Sequence, residues 1–216
     1  MNPERIILTL IQAGVDAVIA DTDLIDESLS GAVGAAELAK VKTLFASNPP
    51  RVLMGYPREG VPLPNFSMVL SDDTPIQQYL GQGEEALLDV DDDILGNVYK
   101  DRVRGGFTIF VMADNPDWTT WLYRILRHIL KVGTNYLIAN DLQDPMISGA
   151  DLVPDPRYTP EAVYVRRLTI SVEYEDRWND AGGMWTAIYG SAESRGTLGT
   201  IAHEDVGGGF HPVEDD

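Results

Sequence analysis

The sequence predicts an α+β fold: a mixed or antiparallel β-sheet with a long amphipathic helix packed on it, N-terminal helices before it and an extended C-terminal arm after it. Three observations carry that expectation. Residues 107–113 (FTIFVMA) are apolar on both alternating faces, as suits a central strand covered on two sides. Directly after them, Trp118, Trp121, Leu122, Ile125, Leu126 and Ile129 recur at spacings of three and four, one continuous helical stripe. Further on, Leu168, Ile170, Val172 and Tyr174 alternate with Arg167, Thr169, Ser171, Glu173 and Glu175. That period-two pattern describes a strand with one buried face and one face left to solvent or a partner. The organisation that follows is a single α+β domain over residues 1–177 and a glycine-rich, acidic arm over 178–216.

The elements follow in order. Pro3 suits a first helical turn, and Ile6, Ile7, Leu10 and Ile11 line one side of a helix over 3–20, with Val15 and Val18 continuing past Gly14. Residues 21–27 (DTDLIDE) read as an acidic loop. A second helix is expected over 35–46, with Leu38, Val41, Leu44 and Phe45 on one face, ending before Asn48-Pro49-Pro50. Short strands are expected at 51–54, 66–70 and 76–80, the first two separated by a proline- and glycine-rich loop. Residues 95–104 read as another strand, with Gly105-Gly106 turning it into a hairpin with the central strand.

The long helix opens on Asp114-Asn115-Pro116-Asp117, which supplies a capping side chain, a first-turn proline and an acid at the positive end of the dipole. Arg124, Arg127 and Lys131 lie off the apolar stripe, and Gly133 is the expected terminator. The connection over 133–160 is long, with a short strand expected at 136–138. In the strand that follows, Arg166-Arg167 marks an expected bulge.

Composition bounds the function. No run is long enough to span a bilayer, and the first residues lack a secretory-signal profile. With no cysteine there are no disulfides, thiolate metal sites or cysteine nucleophiles, and three scattered histidines offer little to zinc. A formal net charge of −18 repels phosphates, which argues against autonomous nucleic-acid binding.

Local motifs name no reaction. Asp89, Asp91 and Asp93 imitate the first ligands of a calcium-binding loop, but Ile94 replaces its glycine and Lys100 its bidentate glutamate. Gly207-Gly208-Gly209-Phe210 lacks the spacing of a nucleotide-binding turn, and Ser191 and Ser194 sit in no nucleophile elbow. The expectation is a non-enzymatic chain without cofactor or metal.

The lines GGFTIFVMADNPDWTTWLYRILRHIL and YVRRLTISVEYE, in this order after an N-terminal helix and early strands, resemble the tail-terminator and neck proteins of tailed bacteriophages. The resemblance covers the central two-thirds of the chain and is one of pattern. It implies a structural virion protein assembled in the host cytoplasm: a ring of identical subunits, usually six-fold, that caps the tail tube and joins it to the neck. In a contractile tail it also holds the last sheath ring. Its partners are then its own copies, the tail tube and sheath proteins, and a neck or adaptor protein. DNA passes through without specific binding, and no membrane is involved.

In such a ring an acidic lining would let DNA slide past. The candidate channel-facing acids are Asp89, Asp91, Asp92 and Asp93, with Asp21 and Asp23. Candidate subunit contacts are Arg167, Thr169 and Glu173 on the outer strand face, and Trp185 and Tyr189 in the arm. Alternative readings are a head-completion or adaptor ring, another tail or baseplate component, an acidic hydrolase using a carboxylate pair, and a small α+β regulatory module.

Overall fold

The computed structural model describes residues 2–56, 61–78, 85–88, 94–151 and 163–180, of which 77–78, 85–88, 94–100 and 177–180 are described by backbone alone. In chain order the elements are α1 (Pro3–Ala20), α2 (Leu24–Leu29), α3 (Ala35–Ser47), β1 (Arg51–Met54), β2 (Asn65–Gln78), β3 (Glu85–Leu88), β4 (Ile94–Ala113), α4 (Pro116–Val132), α5 (Thr134–Ala139), β5 (Gln143–Asp151) and β6 (Tyr164–Asp180). The chain divides into two compact units, Met1–Gln78 with Asp101–Asp176, and Tyr79–Lys100 with Arg177–Asp216. In the second unit, β3 pairs antiparallel with the start of β4.

The fold is α+β with a mixed sheet. Its main path runs β1-β2-β4-β6-β5. β1 pairs parallel with β2, β2 antiparallel with β4, and β5 antiparallel with β6.

Burial explains why these segments take these forms. In α1, Ile7, Ile11, Val15 and Val18 are buried, a stripe at helical spacing, and the Asn2 side chain accepts the Arg5 N–H at 2.9 Å to cap the helix. In α4 the Asn115 carboxamide oxygen accepts the N–H groups of Asp117 (2.8 Å) and Trp118 (3.2 Å), satisfying two donors that a helix start leaves free. Its stripe from Trp118 to Leu130 joins α1 and α3 residues and the inward side chains of β4 (Phe107, Ile109, Val111) and β6 (Leu168, Ile170, Val172) in one buried cluster. Each such side chain contributes about 1.5–3 kcal/mol on burial. Phe45 and Trp118 meet edge to face with centroids 6.3 Å apart, tying α3 to α4.

Several expectations are corrected. Residues 24–27, expected in the acidic loop over 21–27, lie in α2, because Ile25 and Leu29 bury one side of a single short helix. Residues 136–138, expected as a strand, lie in α5, where Leu137 is buried. Gly105-Gly106 makes no hairpin turn. β4 runs straight through it, opposite Asp73 and Asp72 of β2. The predicted strands at 66–70 and 76–80 share the single strand β2 through Gln78, and residues 79–80 lie outside the described residues. Arg166 and Arg167 pair regularly with Asp151 and Ala150, while the irregularity in that pairing falls between Gln143 and Met146.

Candidate functional site

Along β4, Val103, Gly105 and Phe107 turn inward, so Arg102 and Arg104 share the outward face. There they meet Glu173 of the neighbouring strand β6. Arg104 Nη2 bonds Glu173 Oε1, and Arg102 Nη2 stands 2.8 Å from Oε2. Both arginine side chains are 49 % exposed, whereas the glutamate side chain is 9 % exposed. The Arg104 hydrogen bond is the main cause holding the Glu173 carboxyl below its ordinary 4.5, aided by Arg102 and opposed by burial.

On the inward face, the Tyr174 hydroxyl donates to Asp73 Oδ1 of β2 at 3.0 Å. Burial, then the Asp73 contact, pushes the phenol above its ordinary 10.0. A third group gathers where α2 begins: Lys42 Nζ of α3 lies 2.7 Å from Asp23 and 2.6 Å from Asp26. The Asp23 hydrogen bond, then that of Asp26, raises the Lys42 ammonium above 10.5.

Glu173, Asp73, Asp23 and Asp26 each stand against a cation or a phenol. Among the described residues no three His, Asp or Glu side chains stand close enough to hold a metal ion. A surface cleft at the start of α4, lined by Pro116, Thr119, Thr120, Asp151, Tyr164, Val165 and Arg166, has its one ion pair, Arg166–Asp151 at 2.9 Å, closed on itself.

The ends of the sheet are more distinctive. Among the described residues β1 pairs only with β2, and β5 only with β6, so each presents an edge with unused backbone hydrogen-bonding groups. Both ends carry exposed apolar side chains. Met54, Tyr56, Leu70 and Ile76 belong to the β1–β2 end. Val132, Tyr136, Ile138 and Met146 belong to the end formed by α5 and β5, which pack together. The two most exposed, Tyr56 at 74 % and Val132 at 68 %, stand one at each end.

The residues singled out in the sequence are placed as follows. Asp21 ends α1, and its carboxylate accepts the Asp23 N–H at 2.9 Å. Asp23 is exposed but bound to Lys42. Arg167 is exposed and Thr169 half-buried on the outer face of β6. Glu173, expected on that open face, is buried, because Arg102 and Arg104 close over it. Asp89, Asp91, Asp92, Asp93, Trp185 and Tyr189 lie outside the described residues. Sequence reasoning missed the Arg102–Arg104 pair, although a two-residue spacing in a strand already sets both on one face.

No protein-family model matches the chain, and no curated protein matches its sequence.

Proposed function

We propose that this chain is a structural subunit of a tailed phage, forming a ring that terminates the tail tube, with the last sheath ring in a contractile tail, and joins it to the neck. One observation carries the reading beyond the sequence resemblance: among the described residues the sheet ends in two open edges, each beside exposed apolar side chains, and the two ends differ. A closed ring needs two unlike surfaces per subunit that meet head to tail, whereas a two-fold dimer needs one self-complementary patch. The large net charge of −18 suits a channel through which DNA moves without adhering. The composition of residues 178–216, rich in glycine and acid, fits an arm that wraps a neighbouring subunit or the tube.

The test is placement on a tail. Labelled chain is incubated with purified tail tubes and imaged by negative-stain electron microscopy. Label at one end of each tube is expected. Label along the tube wall, or none on the tubes, would reject the reading.

A further inference from the structure

The two sheet ends differ in charge as well as in apolar content. Resting on the ring reading above, we infer that they are the two halves of one interface between copies: the β1–β2 end of one subunit docks on the α4–α5 corner of the next.

At the β1–β2 end, the parallel register sets Met54 beside Met68, and the Gly55 N–H donates to the Met68 carbonyl at 2.8 Å. β1 ends at Met54, Gly55 turns the chain with φ 114°, and Tyr56 follows with its ring exposed. Beyond Leu70, which stands opposite the inward Phe107, Asp72 is exposed opposite the outward Gly106, while the exposed Asp73 carboxylate accepts from Tyr174. The patch is therefore apolar with an acidic margin. Arg51, also exposed, stands at the other end of β1.

At the opposite end, Val132 closes α4 and Tyr136 follows one turn later in α5. Arg127 and Lys131, one turn apart on α4, are exposed and have no ion pair among the described residues. The patch is apolar with a basic margin. Asp141, in the turn before β5, and Asp144, near its start, bring negative charge to the same end. The acid margin of the neighbour is thus drawn to the α4 side of the corner and repelled from the β5 side.

An apolar centre rimmed by paired charge is the usual anatomy of a specific interface. The unlike charges also disfavour each patch meeting its own copy, where Asp72 would face Asp72 or Lys131 face Lys131. That selects head-to-tail growth over a two-fold dimer.

The absence of cysteine makes a clean cross-linking experiment possible. Tyr56→Cys and Val132→Cys are made in separate full-length proteins, mixed under assembly conditions with and without tail tubes, and treated with a short bis-maleimide. The inference expects covalent dimers in the mixture and none in either protein alone. In parallel, Asp72→Lys and Lys131→Glu each weaken assembly about tenfold at low salt, and the double variant recovers most of it. Circular dichroism confirms that the variants are folded.

Dimers in either singly substituted protein alone would overturn the inference. So would rings that form without the Tyr56–Val132 cross-link and ignore both charge reversals. That last result leaves the ring reading intact, whereas failure of the unmodified chain to associate, alone or on tubes, removes both.

Discussion

The phenol of Tyr174 in β6 reaches across β4 to the carboxylate of Asp73 in β2, 3.0 Å away, passing over Gly105. A Cβ at Gly105 would lie 2.9 Å from Tyr174 Cε1 and 3.2 Å from Phe107 Cε2. The glycine read in the sequence as a turn is instead what lets a ring lie flat on the middle strand. Gly105→Ala should destabilise the chain by about 1–3 kcal/mol, the range for overpacking a filled core. Tyr174→Phe, which removes only the hydrogen bond, should cost about 1 kcal/mol. Urea denaturation of the two variants checks the order.

The same pair sets an alkaline limit. The folded-state value of Tyr174 lies above its ordinary 10.0, so the neutral phenol is favoured in the native state. That contribution is complete below pH 10 and declines as the pH rises through the raised value. Lys42, raised above 10.5 by Asp23 and Asp26, loses its contribution in the same direction. Stability measured between pH 9 and 11.5 should fall in the wild type and fall less steeply in Tyr174→Phe with Lys42→Met.

Glu173 sets the acid limit. Its carboxyl is held below 4.5, so its contribution is present above that value and is lost as the pH falls through the lowered one. Glu173→Gln should flatten the stability profile between pH 5 and 3. Glu173→Ala should lower the melting temperature more than Arg102→Ala or Arg104→Ala, because it leaves two guanidinium groups side by side without their shared anion. A slope unchanged by Glu173→Gln would contradict the assignment.

Helix α1 crosses α4 at Gly14, where an added Cβ would stand 2.3 Å from Ile129 Cγ2. Alanine improves helix propensity by about 1 kcal/mol, but a β-branched neighbour fixed in a helix cannot swing aside. Gly14→Ala should therefore be destabilising despite its propensity, and Ile129→Ala in the same chain should recover part of the loss. A double-mutant cycle by thermal unfolding measures that coupling.

How far the sequence reveals this fold depends on element length and partner. α1 and the Trp118–Leu130 stripe are legible because three or more turns repeat the same spacing, and the Asn115 cap is legible because its chemistry is local. The alternation of β6 is legible for the same reason over seven residues, 168–174. α2 and α5 span six residues each, too few for periodicity to separate helix from loop or strand. Gly105-Gly106 reads as a turn because glycine permits both a turn and a close approach, and only the ring of Tyr174, distant in sequence, decides between them. Glu173 looked solvent-facing because alternation assigns a face but not what covers it. Of the candidate contact surface, the cations of α4 were visible off the stripe. Their place opposite the β1–β2 end depends on strand order, which no local pattern encodes.

The central claim is that copies of this chain close into a ring. Its most direct measurement is two-dimensional class averaging of electron-microscope images of the unmodified protein, alone and at tube ends. The account predicts closed rings of cyclic symmetry with an open centre. Monomers or two-fold dimers under both conditions would contradict it.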